Sequence, residues 1–300
     1  MTSTILNALL PIIFVTLLGW VARRMRLLGP DAITALSTFV VSFALPLSLF
    51  VAAVHTKPAQ LTNATYAASL AAGLLGTYAL GILVSGLIFR HDMRTSALEG
   101  LTCGFPNMAY CGPPVLTAAV GAQGLLAVIV GNLIVTLVMV PLTIVLTHLA
   151  PTSNAGKQAS EVLIVERSLL GAVKQPLVWL PVLGAVLAIA GVRLRRRGAV
   201  HAWADAPAKV CPSRSRCFGK HRSEEFVQAA IMLGAALALR LDSALTKEVF
   251  LIGVLPTATA TSVLAQRYET YAPEAAATCA GSTLFSIATI AGGLAIAASL

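Results

Sequence analysis

Charge is what this 300-residue chain lacks most: Asp, Glu, Lys and Arg make up 11% of it, against 57% apolar residues. An average soluble domain carries about 25% charged residues, which it needs to cover its surface. A chain so poor in charge is excluded from the soluble class and reads as a helical membrane protein. Also missing are a Walker phosphate loop, a Gly-rich dinucleotide turn and any Ser, His and Asp ordering, so no enzyme chemistry is visible. The five cysteines (Cys103, Cys111, Cys211, Cys217, Cys279) fall in no paired framework, which argues against a disulfide scaffold. The net charge of +9 would suggest nucleic acid or anionic lipid. The basic residues, however, sit in short loops between apolar runs, where they set orientation. Nine of the 21 crowd into Arg193 to Arg222 and distort the total.

What is present is a succession of apolar runs of bilayer length, at about 4–22, 33–54, 66–89, 95–120, 123–149, 171–192, 226–241, 247–267 and 277–299. The run at 226–241 is short and the one at 247–267 is interrupted. The first has no basic region before it and reads as a retained span. Ala150 to Leu170, with its Pro, Thr, Ser, Asn and Gly, reads as a flexible linker. Arg23, Arg24 and Arg26 follow the first run, and Arg90 and Arg94 follow the third; the loop after the second has Lys57 as its sole fixed cation and that after the fourth has none. The positive-inside rule then places loops 23–32, 90–95 and 150–170 in the cytoplasm and the amino terminus outside.

Two of the runs carry a proline at matching places. Gly104-Phe105-Pro106-Asn107 and Val254-Leu255-Pro256-Thr257 each interrupt a stretch apolar enough to span, with Glu99 and Glu248 seven or eight residues upstream. Proline removes a helix hydrogen bond and clashes with the preceding turn. Such a break survives in hydrocarbon only where it lines a cavity or is buried in protein. Matched breaks in two halves of a chain point to a transporter's substrate site, and an odd number of spans per half makes the halves inverted copies. The expected fold class is an all-α polytopic membrane protein. Residues 1–149 form the first five-helix repeat, 150–170 a cytoplasmic linker and 171–300 the second, inverted repeat.

Pro11 with Gly19-Trp20, Phe43-Ala44-Leu45-Pro46, Gly104 to Asn107 running on to Gly112-Pro113-Pro114, and Leu255-Pro256 with Ala265-Gln266-Arg267-Tyr268 resemble the auxin efflux carrier family. That family includes plant auxin carriers and bacterial permeases annotated for malonate. The similarity covers 1–192 and about 226–300. It implies ten spans in two inverted repeats, broken helices four and nine crossing near the midplane, and transport of small organic anions across the plasma membrane. The pattern expects a seventh span, and residues 193–225 hold instead an anomalous basic segment. A shifted reading frame over about 194–223 is the favoured account of it, and leads to an expectation of a poorly folded or transport-inactive chain. The alternative is a real basic, lipid-binding loop in a nine-span arrangement.

The candidate substrate-binding residues are Gly104, Pro106, Asn107, Gly112, Asn132, Pro256, Thr257 and Thr259. Freed amides and half-helix amino ends would hold the anion, Asn107 would add a donor, and Gly104 and Gly112 would let backbone approach it. Thr261 could join them or bond its own helix. Asn132 could equally brace the break. Pro46, Pro106 and Pro256 are the structural helix breaks, and Pro46 and Pro141 are read as shaping their spans. Glu99 and Glu248 are expected to be solvated at span ends, Glu248 beside Lys247. Cys211, Cys217 and His221 match no zinc pattern. The reading is a permease or efflux carrier of small organic anions such as carboxylates, with no catalytic residue, metal or cofactor and no nucleic-acid partner. It places the protein multi-pass in a plasma membrane, as a bacterial inner-membrane protein, with a homodimer left open. A transport-inactive, frame-disrupted copy and a non-transporting anion receptor are the alternatives.

Overall fold

The computed structural model describes residues 45–55, 63–149, 176–191, 224–268 and 270–300, together with isolated positions before residue 45. Most of the first apolar run, the 150–170 linker and nearly all of the basic segment lie outside the described residues. Within them the chain is helical, and the sole β-type pairing is one isolated bridge.

The helices follow the apolar runs closely. They are α1 (Leu45–His55), α2 (Ala64–Leu87), α3 (Met93–Gly104), α4 (Gly112–Val120), α5 (Leu125–Ile134), α6 (Val140–Leu149), α7 (Pro176–Ile189), α8 (Glu224–Ala238), α9 (Ser243–Gly253), α10 (Thr259–Arg267) and α11 (Ala272–Ala297). Among the described residues three helical stretches are long and apolar enough to cross a membrane: Ala64–Leu87, Ala122–Thr147 and Ala272–Ala297. At 24 residues, α2 extends for about 36 Å, longer than a hydrocarbon core of about 30 Å.

Local chemistry sets the helix ends. The Asn63 side chain accepts from the Tyr66 N–H at the start of α2, and the Asp242 side chain accepts from the Leu245 N–H at the start of α9. Pro46 stands buried near the start of the described part of α1. Pro141 follows a π-turn at Val135–Met139, in which the Val140 N–H reaches back to the Val135 carbonyl. The wider turn accommodates a proline that cannot donate.

Both α3 and α8 pack against α2. The α2–α3 contact is backbone against backbone. A Cβ on Gly81 would stand 2.8 Å from the Gly100 Cα, and one on Gly100 would stand 2.8 Å from the Tyr78 carbonyl oxygen. In lipid, where burial of apolar surface drives little association, small residues that permit such contact hold helices together. The same device joins α8 to α9, where Gly253 faces the Ala229 backbone. The core gathers around the two broken helices: Leu101, Met108, Leu116, Val128, Met139, Met232, Leu251 and Leu255 are all fully buried. Leu83, Leu87, Val263, Leu284 and Ile287 are exposed, which suits contact with lipid.

Candidate functional site

Both predicted breaks are present, and they touch. The first interrupts the chain between α3 and α4, the second between α9 and α10. Pro106 and Thr257 form an antiparallel bridge. The Asn107 N–H donates to the Pro256 carbonyl at 2.6 Å, and the Ala258 N–H donates to the Phe105 carbonyl at 2.8 Å. Backbone groups released by the prolines are thus re-paired across the two breaks, as a dry environment requires. The long helix α11 completes the pairing: the Ser282 hydroxyl accepts from the Thr257 N–H at 3.1 Å, and the Cys279 thiol donates to the Ala258 carbonyl at 3.3 Å.

Not every donor is consumed. Among the described residues, no hydrogen bond is made by the N–H groups of Thr259 and Ala260 in the first turn of α10, nor by the side chain of Asn107. The corresponding first turn of α4 holds Pro113 and Pro114, which have no N–H to offer. The Ala109, Tyr110 and Gly112 N–H groups leading into α4 likewise make no hydrogen bond among the described residues, so free donors stand on both sides of the crossing.

The other candidate residues divide. Thr257 is buried at the bridge and Thr259 opens α10, whereas the Thr261 hydroxyl donates to the Ala258 carbonyl, within its own chain turn. Gly104 sits under the first break, but its open side faces the Tyr78 backbone and Met139, and that of Gly112 faces Val128. Both glycines serve close packing there. Asn132 is buried on α5, one residue past Gly131, which lies against Met108. Its Nδ2 has no hydrogen-bond partner among the described residues, so it does not brace the break by that group.

The expectation that Glu99 and Glu248 are solvated is wrong. They are 7% and 3% exposed. Glu248 accepts a 2.7 Å hydrogen bond from the Tyr66 hydroxyl, 182 positions away in sequence. Glu99 accepts from the Ser85 hydroxyl at 2.8 Å and pairs with His91 at 3.0 Å. The reason is helical placement: each carboxylate faces into the bundle, and α2 supplies a donor to one at either end. Tyr66 and Ser85 are separated by about 28 Å along that helix.

A further correspondence escaped the reading of single motifs. An offset of 150 positions carries Arg90 onto Arg240, Asp92 onto Asp242, Ser96 onto Thr246 and Pro106 onto Pro256. Arg90 and Arg240 share left-handed backbone, with φ of 56° and 54°. Asp92 and Asp242 share the N-cap conformation, with ψ of 161° in both. The N–H groups of Ser96 and Thr246 donate to the carbonyls of those aspartates at 2.9 Å in each case. The Arg-x-Asp triplets were visible in the sequence, though too short to stand out unaided.

Among the described residues no cluster of His, Cys, Asp and Glu is arranged to hold a metal ion. Cys211, Cys217 and His221 lie outside them.

Apolar helices of bilayer length, packed through glycines around two broken helices that bond to each other, define a polytopic membrane transport protein. Residues 4–204 match the membrane transport protein family, and the chain belongs to it, the auxin efflux carrier family. It is similar to the uncharacterized transporter YfdV of Escherichia coli K12, at 26% identity over 316 aligned positions covering 96% of each chain. The proteins of that name from Escherichia coli O157:H7 and Shigella flexneri match equally. The family match continues beyond Val192 into the basic segment.

Proposed function

We propose that the protein is a secondary transporter of small organic anions, carboxylates foremost, which it binds where its two broken helices meet. The observation that carries this is the bridge itself: two proline breaks from distant parts of the chain, mutually hydrogen-bonded, with unspent donors beside them. The Thr259 and Ala260 N–H groups stand at the positive end of α10 and suit a carboxylate. The Asn107 side chain and the Thr257 and Thr259 hydroxyls are further donors within the same region, and Asn132 is a buried donor behind it. Pro106 and Pro256 hold the backbone out of helical form so that these groups remain available.

The shared 150-position offset supports two inverted repeats, 1–149 and 171–300, joined by a cytoplasmic linker at 150–170. In such an architecture the site stays near the bilayer midplane while one part rocks against the other. Placement in a plasma membrane accords with the loop charges. The testing experiment is uptake of radiolabelled lactate, malonate and succinate into proteoliposomes holding the full chain, with empty vesicles as control. Saturable, protein-dependent flux of one or more is expected. Binding without flux would favour an anion receptor.

A further inference from the structure

The α2–α3 and α8–α9 turns are built on one plan, yet a polar cluster is present in just one of them. The 150-position offset pairs Ser85 with Ala235, His91 with Leu241 and Glu99 with Val249. The second turn forms with the same left-handed arginine, the same aspartate cap and the same Ser/Thr hydroxyl reaching back, Ser96 to the His91 carbonyl and Thr246 to the Leu241 carbonyl. It does so with apolar residues at all three places, Val249 being fully buried. The Ser85, His91 and Glu99 side chains are therefore not required to make this turn. An ionisable group within a membrane bundle is costly and marks function by default.

The cluster is closed and direct. Ser85 Oγ, His91 Nδ1 and Glu99 Oε2 lie mutually within 2.8–3.2 Å. The Glu99 side chain is 9% exposed and that of His91 37%, so the imidazole connects a buried carboxylate to water. The contact becomes an ion pair only when the imidazole is protonated. Arg90, Asp92 and Arg94 stand beside His91 in the same turn. On α3 itself Asp92 accepts from the Thr95 hydroxyl, and Arg94 leaves its Nε without a hydrogen bond. On α2, Tyr78 is occupied with Thr143. Of the other elements packed on α3, α6 carries His148 in its last turn, α8 opens with Glu224 and Glu225, α10 ends at Arg267 and α11 has Glu274 in its first turn.

We propose that Glu99, with His91 and Ser85, is a proton-binding site open to the aqueous side of the α2–α3 turn, and that the proton it binds moves with the anion. The coupling half rests on the transporter reading above. A proton from water passes through the exposed imidazole to the buried carboxylate, leaving a neutral acid. Glu99 stands on the half-helix that ends at Phe105, whose carbonyl is bonded across the breaks, so its protonation state is linked mechanically to the site. One proton carried with a monovalent anion makes the step electrically silent, so the membrane potential neither helps nor opposes it.

Two measurements on the full chain test this. In lipid nanodiscs, infrared difference spectra across pH 4–9 should show a protonated-carboxyl component that is lost in Glu99→Gln, shifts in His91→Leu and remains in Glu248→Gln, which removes the separate component of the other buried carboxylate. The His91→Leu variant reproduces the second turn and should fold. A band unaffected by Glu99→Gln overturns the proton site. In proteoliposomes clamped at zero potential, an inward-acid gradient should accelerate wild-type lactate uptake several-fold and leave Glu99→Gln uptake indifferent to the gradient. Wild-type flux unaltered by the gradient overturns the coupling. A titrating Glu99 band with no flux of lactate, malonate or succinate upholds the site and counts against the transporter reading.

Discussion

The backbone N–H of Asn107 donates to the carbonyl of Pro256, which fastens a loop of one half of the chain to the matching loop of the other. The link is made by main chain, so it is indifferent to the Asn107 side chain. That side chain makes no hydrogen bond among the described residues, so its amide is available to a ligand.

Replacing Asn107 by Ala therefore separates scaffold from ligand contact. The N–H bond to Pro256 survives, while one or two hydrogen bonds to a charged ligand are lost. Bonds to charged groups contribute about 1.5–3 kcal/mol, which is roughly ten- to a hundred-fold in affinity. Isothermal titration of purified protein with malonate should register that loss, and Leu87→Val, on a lipid-exposed face, should leave affinity unchanged. Equal affinity in Asn107→Ala and wild type would remove this residue from the site.

Gly100→Ala probes the packing beneath the first break. The added methyl would lie 2.8 Å from the Tyr78 carbonyl, a backbone atom that cannot swing aside. Overpacking of this kind costs about 1–3 kcal/mol. Thermal unfolding in detergent should show a lowered midpoint for Gly100→Ala. Gly292→Ala is the control, since nothing lies within 4 Å of its Cβ position.

The parts of this structure legible in sequence are those encoded locally. Pro106 and Pro256 announce the breaks because proline cannot continue a helix wherever it is placed. The apolar runs announce the helices because bilayer thickness fixes their length. Glu99 and Glu248 could not be placed that way. Whether a carboxylate is solvated depends on which way its helix turns and on what arrives from elsewhere, and Tyr66 arrives from 182 positions away. The loss of two donors in the first turn of α4 was encoded in Pro113 and Pro114, but it gains meaning only once both turns are known to face one site.

Membrane orientation is open to a direct check. The rule of positive loops puts the α2–α3 turn in the cytoplasm and the α4–α5 turn outside. Met93 and Gln123 are exposed positions in or beside those turns, whereas Ser96 is 2% exposed and would resist reagent from either side. In a cysteine-free background, an impermeant maleimide added to intact cells should label Gln123→Cys and spare Met93→Cys. The reverse pattern would invert the topology.

The basic segment between residues 192 and 223 gives the sharpest test of whether this chain is a working carrier. Eight Arg and Lys residues between 194 and 223 weigh against insertion as a seventh span, since each would cost about 2.5–3.5 kcal/mol at a helix centre. If the segment simply destroyed the second half, α8, α9 and α10 would have no reason to pack against the first. Yet Gly253 seats α9 on the Ala229 backbone, Gly73 of α2 faces Met232 of α8, and the two breaks bond across the halves. These contacts weigh against a collapsed second half. Reconstituted in liposomes beside a ten-span relative, the chain should carry carboxylate flux above empty vesicles. Replacing residues 194–223 with an apolar span should change the rate while leaving the Asn107 dependence in place. Flux confined to the replaced form would mean that the chain as it stands is transport-inactive, and that its crossover is inherited from ancestors that did carry anions.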